Sequence, residues 1–240
     1  MEQLSIKNKQ VFKSLPFECS YIASKKEQRL IVKLDREDKN QIHFNELMKK
    51  GFRRNLNHMY FPICSNCNSC MSSRIKIKEF KKSRSQRRNI NSNTNLKFIE
   101  NIEGDKKIRY ELFLKYSHSR HGDSQMRLMT LDEFNRFLYE SPVKNKVYDL
   151  IDDKNNVLGV MLMDCLDNGL SAVYSFYDPN FLHKGLGTLM ILKAIEITEK
   201  LNLDYLYLGY WVRESKKMNY KAAFNNLEIY SSNSWEILKN

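Results

Sequence analysis

Apolar and polar positions alternate in two different ways along this chain. Through the first hundred residues the apolar runs are short: Arg29–Leu34, Met59–Ile63 and Ser73–Lys78, the last with Ile75 and Ile77 between charged neighbours, and each reads as a strand. A helix is expected from Ile42 to Lys50, ended by Gly51. A second, short one runs through Gln86–Asn91, with Ser83 or Ser85 as its cap. In the middle of the chain, Ile108, Leu112 and Tyr116 stand at helical spacing, and Thr130-Leu-Asp-Glu133 is a capping box opening a helix to Tyr139.

From residue 145 the pattern becomes regular. KVYDLI and VLGVMLMDCL are two strands joined by DDKNN, and Asp167-Asn168-Gly169 is a hairpin turn leading into a third, LSAVYSFYD. Gly185-Leu-Gly187 then opens an amphipathic helix to Leu201, with Leu189, Leu192 and Ile195 on its apolar face. A strand, YLYLGY, follows, and a last helix is expected over Lys216–Phe224. This element order resembles an acyltransferase core of the GNAT type. The fold class expected is therefore α+β: a GNAT-like core over residues 101–240, preceded over residues 1–100 by a smaller α/β domain that carries the cysteines.

Charge narrows the partner. The chain has 240 residues and a formal charge of +12, and the excess is concentrated: Arg74–Arg88 (RIKIKEFKKSRSQRR) holds eight lysines and arginines against one acid. Such a stripe attracts a phosphate backbone and speeds encounter with it. No apolar stretch approaches the roughly 20 residues that span a bilayer, and MEQLSIKNKQ lacks the apolar stretch of a secretion signal. A cytoplasmic protein without a membrane partner is expected. In a reducing compartment its five cysteines are then thiols or metal ligands rather than disulfides. Cys64, Cys67 and Cys70 form a CxxCxxC run that Cys19 can complete to four thiolates, a set that suits zinc or an iron–sulfur cluster. Cys165, on an apolar strand, reads as a packing residue.

The segment HKGLGT exposes backbone N–H groups at a helix start, where they can cradle a phosphate or stabilise an oxyanion. Acetyl-CoA enzymes of this fold usually carry Gln or Arg three residues before the first glycine. Here that residue is Leu182, which argues against a CoA pyrophosphate site and leaves room for another acyl carrier.

The longer segments SAVYSFYDP, GLGTLMILKAIE, YLYLGYW and KMNYKAAF resemble the C-terminal half of the aminoacyl-tRNA–protein transferases of the N-degron pathway. PFECSY, GFRR, the CxxCxxC run, FKKSRSQRR and SRHGD resemble their N-terminal half, so the likeness spans roughly residues 16–230. The chain is most similar to the short bacterial form, which moves leucine from leucyl-tRNA onto proteins with N-terminal Asp or Glu and so marks them for degradation. An arginyl-tRNA donor in the same reaction and an acetyl-CoA-dependent N-acetyltransferase are the alternatives. A non-catalytic RNA-binding protein would explain the basic stripe and leave the second half without purpose.

The reaction so implied needs no cofactor, because the donor ester is already activated and an α-amine with a pKa of about 7.7–8.0 is partly neutral at pH 7. Positioning can supply most of the acceleration, with a weak base and oxyanion donors supplying the rest. Asp178 is the candidate base or amine-orienting carboxylate. Tyr174, Tyr207 and Tyr210 are candidates to line the aminoacyl and adenosine pocket, with sheet packing as their alternative role. The acceptor's acidic side chain needs a cation, for which Arg120, His121, Arg84 and Arg87 are the candidates. Arg53, Arg54, Lys81, Lys82, Arg88 and Lys217, with Gly185 and Gly187, are expected to hold the tRNA.

Overall fold

Val147, Val160, Leu162 and Phe176 recur at alternate positions of three successive strands, and that alternation builds the centre of an eight-stranded sheet. The computed structural model describes residues 10–34, 40–120 and 125–239. It begins with β1 (Val11–Lys13), β2 (Phe17–Glu18), β3 (Lys26–Glu27), β4 (Arg29–Lys33), α1 (Asn40–Lys49), β5 (Arg53–Asn55) and β6 (His58–Pro62). Strands β1, β4, β6 and β5 form a four-stranded antiparallel sheet in that order, and β2 pairs with β3. There follow β7 (Met71–Lys76), α2 (Arg84–Asn91), β8 (Lys97–Glu100), α3 (Lys106–Arg120) and α4 (Leu131–Tyr139). The last part comprises β9 (Asn145–Ile151), β10 (Val157–Cys165), β11 (Gly169–Tyr177), α5 (Leu186–Lys200), β12 (Tyr205–Trp211), β13 (Leu227–Ser231) and β14 (Ser234–Ile237).

The large sheet runs β14-β13-β7-β12-β11-β10-β9-β8, antiparallel throughout except where β11 meets β12. Alternate residues face two layers. Met161, Met163, Leu206 and Leu208 pack on Leu189, Met190 and Leu192 of α5. Phe113 of α3 and Phe134 and Leu138 of α4 cover Val160, Leu162 and Phe176 on the other face. On that second face Tyr207 also meets the core of the N-terminal sheet, built from Val32, Phe44, Leu47 and Met59. The chain is thus a mixed α/β protein organised on one large sheet.

Two features differ from the sequence expectation in detail. Strand β7, the start of the basic segment, lies between β12 and β13, so the large sheet draws on residues from both sides of position 100. The helix expected over Lys216–Phe224 is a short 3-10 turn, Asn219–Ala223. Its inward residues, Lys221 and Phe224, stand three apart, the repeat of a 3-10 rather than an α-helix. The two sheets are joined by a buried bidentate pair: Arg54 donates to both carboxylate oxygens of Asp164 at 2.6 and 2.7 Å. Arg109 and Asp149 form a second such pair beneath α3, at 2.9 and 2.8 Å.

Candidate active site

Strands β11 and β12 pair in parallel through three positions, Gly169 with Tyr205, Leu170 with Leu206 and Ser171 with Tyr207, and then part. The gap they leave is filled from the N-terminal sheet. Arg53 of β5 reaches into it and donates from Nη2 to the Val173 carbonyl of β11 at 3.2 Å. Its guanidinium lies against Gly209 of β12, where a Cβ would collide with Nη1. Gly209 also has φ +76°, so glycine is required there twice over, for conformation and for room. The Tyr210 ring lies 5.8 Å from the Arg53 guanidinium carbon.

Lys221 enters the same region from the 3-10 turn and is 3 % exposed. Its ammonium donates to the Tyr210 carbonyl and approaches the Met218 sulfur at 3.5 Å. Burial, and secondarily the charge of Arg53, holds its pKa well below the ordinary lysine value. Neither Arg53 nor Lys221 has a carboxylate partner among the described residues.

A cluster of tyrosines lies alongside. The Tyr177 hydroxyl accepts from Arg120 Nη2 at 2.8 Å, and its ring lies 5.0 Å from that of Tyr116. Burial, then the neighbouring Tyr177, pushes the Tyr116 hydroxyl up to about 12. The Tyr177 ring also touches Gly187, at the start of α5. Tyr220 is half exposed, yet its hydroxyl is close enough to Arg53 and Tyr177 for their charges to act on it. Gly185 takes the left-handed conformation at φ +62° and caps α5, leaving the first backbone N–H groups of the helix open.

Helix α2 holds this arrangement together. Asn89 Nδ2 donates to the carbonyls of Lys184 and Gly185 at 2.9 and 3.3 Å, and Asn93 Nδ2 to that of Lys184 at 3.0 Å. Gln86 Nε2 donates to the Ala223 carbonyl at 3.2 Å, in the turn that carries Lys221. Ser83 caps the helix through a complete capping box with Gln86. One short basic helix therefore fastens the glycine turn to the Lys221 turn, with Arg84, Arg87 and Arg88 exposed along it.

The other expected site residues are distributed as follows. Asp178 begins the 3-10 turn Pro179–Lys184, accepting from the Asn180 N–H at 2.9 Å, and pairs with Lys115 at 2.7 Å. Tyr174 is packed among Phe113, Phe137 and Phe176, with its hydroxyl buried near Ser117. Tyr207 is 2 % exposed and meets Asn168 and Arg74, at the paired end of β12 and away from the gap. Tyr210 is buried, with its hydroxyl on the Tyr60 carbonyl at 2.9 Å. The three tyrosines therefore do not line one pocket. Arg54 is closed off by Asp164 and presents no face to a phosphate. Lys82 pairs with Glu196 at 3.0 Å, whereas Lys81 and Lys217 are exposed. His121 lies outside the described residues. A wide cleft of about 1490 Å³ opens nearby beside α4, lined by Lys33, Asn57, Met129 and Phe137. It meets these residues through Phe137, edge-on to Tyr174 at 5.4 Å, and through Leu56, whose carbonyl accepts from Arg54 Nη1 at 2.7 Å.

Cys64 Sγ accepts from the Gln28 N–H at 3.5 Å. Burial, Glu27 and the charges of Cys19, Cys64 and Cys67 raise the Cys70 thiol to about 12, while hydrogen bonding to Ser69 lowers Cys67. The donor type suits a soft metal. Among the described residues no three Cys, His, Asp or Glu side chains are grouped to hold a metal ion.

Sequence reasoning missed Lys221, although KMNYKAAF contains it four residues after the exposed Lys217. A buried lysine leaves no periodic signal in a segment this polar. It also missed that Arg53 points into the sheet, for which the nearest sequence sign is the glycine inside YLYLGYW.

Residues 17–88 match the family description "Arginine-tRNA-protein transferase, N terminus", and residues 108–231 match "Arginine-tRNA-protein transferase, C terminus". An aspartate/glutamate leucyltransferase of Ruegeria sp. (strain TM1040) is 40% identical over 231 residues, covering 96% of this chain and 84% of that one. The protein of the same name from Ruegeria pomeroyi (strain ATCC 700808 / DSM 15171 / DSS-3) is 40% identical over 230 residues, covering 95% and 84%. Among solved structures, L-PGS from Bacillus licheniformis superposes with a TM-score of 0.49 at 11% identity, covering 73% of this chain and 52% of that one.

Proposed function

The chain belongs to the arginine-tRNA-protein transferase family, and from that membership we propose that it transfers leucine from leucyl-tRNA to the α-amine of proteins beginning with Asp or Glu. It is an aminoacyltransferase. The observation that carries the choice of leucine is the 40% identity, over 96% and 95% of the chain, to two aspartate/glutamate leucyltransferases. A cytoplasmic site of action and a role in marking acceptors for degradation go with this reading. No helix among the described residues is long and apolar enough to cross a membrane.

The core is read as GNAT-like. Three antiparallel strands, a glycine turn, a helix and a parallel strand that parts from its neighbour support that reading. In the reaction the acceptor amine attacks the ester carbonyl of the aminoacyl-tRNA. The C–N bond forms, the C–O bond to the terminal ribose breaks, and the amine proton ends on the ribose hydroxyl. The open N–H groups of Leu186, Gly187 and Thr188 are suited to the oxyanion, and the α5 dipole favours negative charge there. Asp178 is suited to orienting the amine rather than to removing its proton, because Lys115 and the Asn180 N–H already engage its carboxylate. The exposed face of α2, with Arg84, Arg87 and Arg88, together with Lys81 just before it, suits a phosphate backbone better than a single carboxylate, which needs an enclosed partner.

A structural zinc or iron–sulfur cluster on Cys19, Cys64, Cys67 and Cys70 is a separate proposal, supported by donor type alone. Stoichiometric metal in purified protein would bear it out, and metal-free active protein would exclude it. The transfer reading is tested by offering leucyl-tRNA and arginyl-tRNA, each radiolabelled on the amino acid, to the protein with an acceptor peptide. Label moving from leucyl-tRNA alone is the expected result. Arginine moving instead would keep the family and change the donor.

A further inference from the structure

Two cations that have no acidic partner among the described residues lie at the parting of β11 and β12, and the proposed reaction supplies an anion of matching size. We propose that Arg53 and Lys221 form the subsite that reads the acidic side chain of the acceptor's first residue. This rests on the transfer reading above and adds to it the residues that select Asp and Glu.

An ammonium that is 3 % exposed and bonded, among the described residues, to a carbonyl and a thioether is a costly arrangement for a folded chain. Such groups persist where function requires them. Arg53 is held beside it in a fixed orientation, by the Val173 carbonyl on one strand and the bare Cα of Gly209 on the other. A guanidinium fixed in this way is prepared to meet a planar carboxylate, and a nearby ammonium adds a second donor without reorganisation. Exposed arginines on α2 or α3 lack that enclosure.

Size decides between the two anions the reaction brings. A tRNA phosphodiester has a ribose on either side and cannot reach an ammonium buried to this degree. A carboxylate at the end of one or two methylenes is the smaller anion, and it is the one assigned to this pair. Asparagine at the same position has the carboxylate's shape without its charge, so it would enter the gap and leave both cations unmatched, a strong penalty in a desolvated site.

The test compares Arg53→Gln and Lys221→Met with the wild-type protein. Leucine transfer is measured to two peptides that differ only in Asp or Asn at the first position, together with the KM for leucyl-tRNA and the melting temperature. The wild type should prefer the Asp peptide. In both variants that preference should fall by about 30-fold or more, with the KM for tRNA within about two-fold. Lys221→Met should melt no lower than the wild type, because it replaces a buried unpaired charge with an apolar chain of similar length. It therefore carries the test even if Arg53→Gln fails to fold. Folded variants that keep the wild-type preference for Asp overturn the assignment alone. A parallel rise in tRNA KM, with both peptides affected equally, overturns it in favour of a phosphate contact. Wild-type protein that moves no leucine to either peptide contradicts the transfer reading and the assignment with it.

Discussion

Lys221, Cys67 and Cys70 show how far a side chain's surroundings reset its chemistry. Lys221 is held below the ordinary lysine value of 10.5 by burial first and by Arg53 second. Over the interval up to 10.5 the unfolded chain binds more protons than the folded one, so the stability contributed by this group rises with pH there and is reduced at neutral pH. Lys221→Met should accordingly melt at a higher temperature at pH 7 and show a flatter rise of stability from pH 7 to 10. A lower melting temperature for that variant would contradict this account of its burial. Among the thiols, Cys67 is lowered by Ser69, whereas Cys70 is raised to about 12 by burial and its acidic and thiol neighbours. Iodoacetamide at pH 8 should then label Cys67 well before Cys70, as followed by peptide mass spectrometry. The opposite order would show that the thiol cluster is arranged differently in solution.

Elements matter here through what they fasten. Helix α2 and the residues just after it join the glycine turn, through Asn89 and Asn93, to the Lys221 turn, through Gln86, so its basic residues are carried on a fixed support. Strand β5 carries Arg53 into the gap and Arg54 into the buried pair with Asp164, two neighbouring arginines with opposite fates. Removing Asp164 leaves the Arg54 charge buried and unpaired, which costs about 3–5 kcal/mol. Asp164→Ala should therefore lose about that much stability in urea unfolding, and a loss under about 1 kcal/mol would show the pair to be open to water. Element types were largely legible in sequence, because capping residues and alternation act locally: the Thr130 and Ser83 boxes and the run of β9, β10 and β11 all follow from near neighbours. Side-chain destinations were not. Arg53 and Arg54 look alike in GFRR, and what separates them is pairing with residues more than a hundred positions away.

At the scale of the whole molecule the two sequence halves share one sheet, since β7 is paired between β12 and β13. That sharing was not legible, because Ser73–Lys78 announces a strand and not its partners. Its consequence is that the basic stripe, which continues from β7 into α2, lies beside the glycine turn rather than on a separate module. Charge removal from α2, as in a combined Arg84→Gln, Arg87→Gln and Arg88→Gln variant, should weaken tRNA binding. It should also reduce the slope of log affinity against log salt by about one for each phosphate that the helix no longer neutralises. An unchanged slope would take the tRNA path off this helix.

The most direct measurement of the central claim is mass spectrometry of acceptor peptides after incubation with the protein and a mixture of charged tRNAs. The account predicts a single added leucine, on the α-amine, in peptides beginning with Asp or Glu and not in those beginning with Asn or Ala. Addition of arginine, or leucine added without regard to the first residue, would contradict it.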